Sequence, residues 1–191
     1  QYGDFAAVQN LDLEVHAGEI LALLGPNGAG KTTTIRMLMG ILSPSAGTAR
    51  IGGRDCFAER PAVMARTGYL PDEPVFYEHL RGREILAFCA TMRGIPAAVA
   101  EARAQALCER LGLQDDLEEF AVNYSMGMKK KLALVAAMLH EPDLLILDEP
   151  TNGLDPVVTR TLLELVREVA ASGRAVFYST HLLDQAERLC H

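Results

Sequence analysis

Apolar and polar residues change their spacing several times along this chain, and each spacing predicts an element. Residues 5–24 alternate and then become continuously apolar, which predicts strands with a turn at Ala17 and Gly18. Apolar runs at 143–150 and 175–181 predict two more buried strands. Helical spacing follows Pro156, with proline at the start of the helix and Gly173 just past its end. Strands that alternate with helices predict an α/β fold with a mainly parallel sheet.

A long helical stretch interrupts the strands between about Glu78 and Glu119. We expect it to form a subdomain inserted into the sheet. One of its helices should end at Gly112. Its apolar face is predicted from residues with helical spacing, namely Val99, Ala102, Ala106, Leu107 and Leu111.

A glycine-rich segment, GPNGAGKTTT at 25–34, lies between a predicted strand and a predicted helix. It fits G-x-x-x-x-G-K-[ST], in which backbone N–H groups at a helix N-terminus cradle a phosphate chain. An ordinary glycine turn is the alternative. The pattern predicts that Lys31 reaches the β- and γ-phosphates and that the Thr32 hydroxyl binds Mg²⁺. The predicted binding loop consists of Gly25, Pro26, Asn27, Gly28, Ala29, Gly30, Lys31, Thr32 and Thr33.

Two carboxylates follow the apolar strand LLIL, where ligands of parallel sheets bind. Asp148 suits Mg²⁺, a hard cation that prefers oxygen ligands. Glu149 could take a proton from an attacking water as a general base. The alternative is that both residues cap the following loop.

Composition limits the function classes. The chain has 191 residues, 49% hydrophobic and 23% charged, with a net charge of −7. No broad nucleic-acid face is expected, and the short basic run 129–131 indicates only a solvated helix start. The four dispersed cysteines predict free thiols. No membrane span or signal peptide is recognisable, and both ends look truncated, as in part of a longer polypeptide.

The order of these motifs resembles the nucleotide-binding domain of ATP-binding cassette (ABC) proteins. GPNGAGKTT is followed by YSMGMKKKLALVAAMLHEPDLLILDEPTNGLDP and then by YSTH. The glycine loop alone would not separate ABC proteins from kinases or GTPases, but the run from Tyr124 to Asp155 does. Within the family, the chain looks most like the ATPase of bacterial exporters of the drug-resistance and sodium-efflux type.

The resemblance implies a P-loop NTPase fold with a parallel sheet core, an N-terminal antiparallel β part and an inserted helical subdomain. A single ABC ATPase domain would then cover 1–191. Its catalytic core would comprise about 1–77 and 138–191, and the helical subdomain with the signature motif about 78–137.

The resemblance also implies roles for individual residues. Tyr2 would stack on adenine, or else be a strand-edge tyrosine. Ser125 and Gly127 match the family signature LSGGQ, whose members touch the γ-phosphate across a dimer interface, although a plain helix start is also open. Asp155 would communicate between two sites, cap the helix at Pro156, or do both. His181 would hold the γ-phosphate and the attacking water.

Three residues depart from the family pattern. Met126 and Met128 replace the first glycine and the glutamine of the signature. Asp72 stands where the family usually has a glutamine that reaches Mg²⁺ and hinges toward the membrane subunit. A carboxylate still suits Mg²⁺, so we expect Asp72 to be a metal ligand whose coupling role is altered. A solvated loop carboxylate is the alternative.

The resemblance therefore predicts Mg²⁺-dependent ATP hydrolysis that powers a transporter. Catalysis would rest on Glu149, His181 and Lys31, and Mg²⁺ would be bound by Thr32, Asp72 and Asp148. The expected partners are ATP, a second copy or related ABC domain paired head to tail, and a transmembrane permease, with no nucleic acid. The location would be cytoplasmic, on the inner face of the cell membrane.

Two other function classes stay open. The first is a soluble ABC protein that acts on ribosomes or DNA, although such proteins carry two cassettes or a long coiled-coil insertion. Here Ser125 follows Lys31 by 94 positions without heptads. The second is a nucleotide-binding scaffold with little turnover, which the departures at 72, 126 and 128 suggest.

Overall fold

A four-stranded parallel sheet forms the centre of the protein. The structure is a computed structural model that describes residues 6–190, apart from the side chain of Cys190. The sheet order is β1 (Ile20–Leu24), β6 (Ala175–Thr180), β5 (Leu144–Asp148) and β4 (Thr67–Leu70). All three neighbouring pairs are parallel. Because parallel strands end at the same edge, the residues that follow β1, β4, β5 and β6 are brought close together.

Helices cover the sheet, and a separate hairpin pairs β2 (Arg50–Ile51) with β3 (Arg54–Asp55) antiparallel. These elements confirm the predicted α/β class with a parallel sheet and a separate antiparallel part. The helices in chain order are α1 (Lys31–Leu38), α2 (Arg60–Met64), α3 (Gly82–Met92), α4 (Ala97–Leu111), α5 (Met126–Met138), α6 (Pro156–Ala171) and α7 (Leu183–Cys190). Short 3₁₀ turns lie at Gln114–Asp116 and Ala121–Asn123.

Strand β5 is buried along its whole length because apolar side chains cover both of its faces. Leu145 and Leu147 pack into a large core with residues of α3, α4, α5 and α6. Leu144 and Ile146, which point the other way, join a smaller core with Ile35 of α1. This two-sided burial explains why the strand reads as a continuous apolar run and not as an alternation.

Two details of the sequence prediction are wrong. Residues 6–19 contain no strand although their pattern alternates, because no described segment pairs with them; the turn at Ala17 and Gly18 is present. In α4 the buried side is rotated by about one residue from the predicted one. Val99, Ala102 and Ala106 are exposed, whereas the inward residues are Ala100, Ala104, Leu107, Cys108 and Leu111.

The helical stretch does not form an isolated core. Helices α3, α4 and α5 pack on one another, yet their apolar residues belong to the same core as β5 and α6. The division at about 78–137 therefore stays a prediction. Among residues 6–190, no helix combines the length and apolarity that are needed to cross a bilayer.

His140, between α5 and β5, is held in its neutral form. Its Nε2 lies 2.8 Å from Arg93 Nη1, which can only donate, and 3.2 Å from the Thr67 carbonyl oxygen, which can only accept. Burial, together with the charge of Arg93, lowers the pKa of His140 to about 4. Protonation would place a second positive charge against the Arg93 guanidinium.

We predict that His140 makes the fold sensitive to mild acid. With a pKa of about 4 in the folded chain and about 6.5 when unfolded, the unfolded state binds more protons between these values. The contribution is complete above pH 6.5 and is lost as the pH falls toward 4. Urea unfolding of His140→Gln at several pH values should show a shallower loss of stability than the parent over this window. Equal slopes in the two proteins would contradict the prediction.

Candidate active site

The glycine-rich loop between β1 and α1 adopts backbone angles that require glycine. Gly28 and Gly30 have φ of 84° and 88°. A Cβ atom on Gly30 would lie 2.5 Å from the Ala7 carbonyl oxygen, so the position has no room for a side chain. Gly30 is also the N-cap of α1, and the loop therefore leads directly into the positive end of a helix dipole. This geometry supports the predicted anion site.

The Lys31 side chain is buried and folds back over this loop. Its ammonium donates to the carbonyl oxygens of Gly25 at 2.6 Å and Pro26 at 3.1 Å. The same nitrogen lies 3.1 Å from Glu149 Oε1. A phosphate oxygen that binds Lys31 must therefore compete with Glu149 for the ammonium.

The carboxyl end of β5 brings the two predicted carboxylates to the loop. Asp148 is buried, and its Oδ1 accepts a hydrogen bond of 2.6 Å from Ser179 Oγ on β6. Glu149 Oε2 lies 2.9 Å from Nδ1 of His181, the residue that follows β6. The Glu149 carboxylate thus stands between Lys31 and His181, so the three predicted catalytic residues form one cluster.

A cavity of about 350 Å³ opens beside this cluster. Its glycines, helix N-terminus and lysine suit a phosphate chain. Thr32 and Asp72 add a hydroxyl and a carboxylate to its wall, and Asp148 is buried behind it. Oxygen ligands of this kind, few in number and next to phosphates, fit Mg²⁺. The cavity is lined by Ala7, Asn27, Gly28, Gly30, Lys31, Thr32, Thr33, Asp72 and Glu149.

Comparison with known proteins identifies this arrangement. Residues 8–152 match the family model described as ABC transporter. The chain belongs to the ABC transporter family. It is 38% identical to the Nod factor export ATP-binding protein I of Cupriavidus pinatubonensis (strain JMP 134 / LMG 1197), over 100% of this chain and 59% of that protein. It is 39% identical to the bacitracin transport ATP-binding protein BcrA of Bacillus licheniformis, over 98% of this chain and 61% of the relative.

A solved structure shares the fold closely. It is titled "Structure of ATP binding subunit of ABC transporter", and it matches with a TM-score of 0.93 and 38% identity. The match covers 99% of this chain and 79% of that one. The resemblance to ABC proteins is thereby confirmed, and the chain spans about 60% of the length of the curated relatives described above.

The residues of the ABC signature lie apart from the Lys31 cavity. Ser125 is the N-cap of α5, and its Oγ accepts from the Met128 N–H at 3.2 Å. Gly127 approaches the loop before α6, where an added Cβ would lie 3.1 Å from the Gly153 carbonyl oxygen. Neither residue lines the cavity. Tyr2, the predicted adenine contact, lies outside the described residues.

Asp155 caps α6, as one of the two sequence interpretations expected. Its Oδ1 accepts from the N–H groups of Val157 at 2.9 Å and Val158 at 3.0 Å. These hydrogen bonds lower the pKa of the Asp155 carboxyl, and the bond from Val158 has the larger effect. A role in communication between two sites stays a prediction.

The sequence interpretation missed two residues. Ser179 is fully buried and connects the Asp148 carboxylate to the Glu149 main chain, since its Oγ donates to Asp148 and accepts from the Glu149 N–H at 3.1 Å. Lys130 was assigned to a solvated helix start, but it is 1% exposed and bonds to Asp72 and Glu149. The sequence carries no signal for this burial, because each of the three neighbouring lysines is followed three and four positions later by apolar residues.

We predict that Ser179→Ala lowers the stability of the protein by removing a hydrogen bond from the buried Asp148 carboxylate. The buried Asp148 carboxylate would lose a hydroxyl donor, which should lower the free energy of unfolding by about 1–3 kcal/mol. Ser172→Ala is the matched control, because Ser172 bonds only at the exposed end of α6 and should change stability by less than about 0.5 kcal/mol. Urea unfolding of both variants measures the difference. Equal small effects would show that Asp148 does not need this hydroxyl.

Proposed function

We propose that this chain is the ATP-hydrolysing part of an ABC exporter. One observation carries the proposal: the Glu149 carboxylate lies within 3.1 Å of Lys31 and 2.9 Å of His181 at the wall of the glycine-loop cavity. A scaffold with little turnover does not require this cluster. Two relatives whose names specify export and transport favour a transporter over a ribosome or DNA factor.

The proposed reaction is in-line attack of water on the γ-phosphate of ATP. Glu149 takes a proton from the water as its oxygen bonds to phosphorus, while the bond from phosphorus to the ADP oxygen breaks. His181 orients the Glu149 carboxylate, and Lys31 with the loop N–H groups stabilises charge on the phosphoryl oxygens. Mg²⁺, held by Thr32, Asp148 and Asp72, would neutralise phosphate charge.

A head-to-tail pair would complete each site. Ser125 and Gly127 lie outside the cavity of their own chain, so they could serve only a nucleotide held by another subunit. The N-terminus of α5 then supplies N–H groups and the Ser125 hydroxyl to the γ-phosphate of that partner. ATP would favour the closed pair, and hydrolysis would release it.

Several exposed apolar side chains, in the segment after Asp72 and on α3, suit contact with a membrane partner. Val75 is 89% exposed and Met92 is 72% exposed, although both are apolar. Tyr77 and Phe88 form an edge-to-face ring pair with centroids 6.3 Å apart, and both rings are substantially exposed. Clustered exposed apolar side chains indicate an interaction surface. We assign it to a transmembrane permease, and the chain would then lie on the cytoplasmic face of the membrane.

We predict that Glu149→Gln separates ATP binding from turnover. The amide keeps the shape of the side chain but cannot accept the proton, so kcat should fall by roughly 10²–10⁴-fold while ATP still binds. An ATP-bound dimer should accumulate and appear in light scattering of the full-length protein. The isolated domain without nucleotide should be mainly monomeric.

Two results would contradict this assignment. Near-normal turnover in Glu149→Gln would remove Glu149 from the role of base. A full-length variant that stays monomeric at saturating ATP would count against the shared site. The control is Glu164→Gln, in the partly exposed ion pair with Arg160 on α6, where turnover should stay close to that of the parent.

We predict that Val75→Arg weakens membrane attachment. A charge on an apolar contact surface must be desolvated on binding, so less full-length protein should sediment with membranes. ATPase activity of the soluble protein should change less than about three-fold, as for most surface substitutions. Phe57→Arg is the matched control, because Phe57 is also apolar and 53% exposed but follows β3. Equal sedimentation of both variants would remove the surface at Val75 from the interface.

A further inference from the structure

Lys130 is a buried cation on the helix that follows the signature. Its side chain is 1% exposed. The ammonium donates to the main-chain carbonyl oxygen of Glu149 at 2.6 Å and to Asp72 Oδ1 at 3.1 Å. Burial lowers the pKa of Lys130, and the Asp72 carboxylate opposes that shift. A buried charge is costly unless it is paired, so these two contacts fix the position of the ammonium.

The main chain of Glu149 is in a conformation that needs such support. Its φ is 45°, in the left-handed region that non-glycine residues rarely adopt. Its N–H donates to the carbonyl oxygen and the hydroxyl of Ser179, at 3.2 and 3.1 Å. Its carbonyl oxygen accepts from Lys130 and from the Asn152 N–H at 3.2 Å. Lys130 is therefore the charged member of the set of bonds that holds this backbone.

Asp72 supplies the counter-charge from the other side. Its Oδ1 accepts from Lys130 and from Asn152 Nδ2 at 3.2 Å, while the side chain is 44% exposed at the cavity wall. The Lys130 ammonium thus connects helix α5 to the cavity wall and to the main chain of Glu149. Because Lys130 follows Ser125 by little more than one helical turn, the end of α5 that carries Ser125 is tied to Glu149 by a single charge-assisted bond.

We propose that Lys130 is a positioning residue for hydrolysis, which holds the main chain of Glu149 and is itself held by Asp72. The proposal rests on the role of Glu149 as the base. Lys130 does not line the cavity, so its effect on the nucleotide is indirect. The competing explanation is a purely structural ion pair, in which the charges matter only for folding.

The two explanations differ in a variant that lacks both charges. Lys130→Met keeps the apolar stem but removes the donor, and it leaves Asp72 without its cation. Adding Asp72→Asn removes that unpaired carboxylate. Stability should then recover toward the parent, whereas the Glu149 carbonyl still lacks its ammonium. Because Asp72 is also a proposed Mg²⁺ ligand, turnover of the double variant is compared with that of Asp72→Asn. Positioning predicts a kcat well below that of Asp72→Asn, and a structural pair predicts the kcat of Asp72→Asn.

The experiment compares full-length parent, Lys130→Met, Asp72→Asn, the double variant and Lys131→Met. Lys131 is the matched control because it lies on the same helix and donates to the Gly112 carbonyl oxygen, away from Glu149. We expect Lys130→Met to lower kcat by about 10–100-fold, as small misplacements of reacting groups do. The Kd for ATP should change less than about three-fold, and the double variant should regain the melting temperature while its kcat stays about 10–100-fold below that of Asp72→Asn.

A measurement without nucleotide tests the backbone directly. Hydrogen exchange of the Asn152 main-chain amide, which shares the Glu149 carbonyl with Lys130, should be faster in Lys130→Met than in Lys131→Met. It should also be faster in the double variant than in Asp72→Asn, because Asp72 bonds to the Asn152 side chain in the parent. If Lys130→Met does not fold, the double variant takes its place, since it contains neither charge of the pair.

Three results decide the proposal. A double variant with the recovered melting temperature and the kcat of Asp72→Asn would overturn it, and so would a Lys130→Met kcat equal to that of Lys131→Met. A double-variant kcat below that of Asp72→Asn, with recovered stability and faster Asn152 exchange, would establish it. Glu149→Gln is measured in parallel: normal turnover there would instead remove Glu149 from the base role, whatever Lys130 does.

Discussion

The register of β5 between β4 and β6 is the constraint on which the rest of the site depends. Asp148 pairs with Ser179 across the sheet. This pairing fixes where β5 ends relative to β6, and therefore where Glu149 leaves the strand toward the glycine loop. A slip by one residue would turn the Asp148 side chain to the opposite face of the sheet. Apolar packing on both faces of β5 fixes the register, so the core and the chemistry depend on the same hydrogen bonds.

Much of the fold and the site could be predicted from sequence because their signals are local. The strand before the glycine loop, the helix after Pro156 and the carboxylates at the end of β5 each lie in one short segment. The cap at Asp155 and the stop at Gly112 follow from backbone chemistry within a few residues. Parallel pairing then brings Glu149 and His181 together, since both follow strands that end at one edge.

The errors concern features that depend on distant partners. Residues 6–19 alternate like a strand, but alternation cannot supply a neighbour with which to pair. In α4 the many alanines blur the apolar face, and packing on α3 and α5 decides which side is buried. Lys130 belongs to a run of three lysines, and only the meeting of α5 with Asp72 and Glu149 distinguishes it from its neighbours. Ser179 likewise gains its role from the strand beside it.

The left-handed backbone of Glu149 also bears on how this protein could be engineered. Any L-residue with a side chain beyond Cα is strained at φ of 45°, and glycine is the residue that relieves this strain most fully. A redesign that scores stability alone would therefore favour glycine at position 149. Such a variant would lose the backbone strain together with the carboxylate that stands between Lys31 and His181. Position 149 is thus a place where thermostability and turnover are expected to select different amino acids.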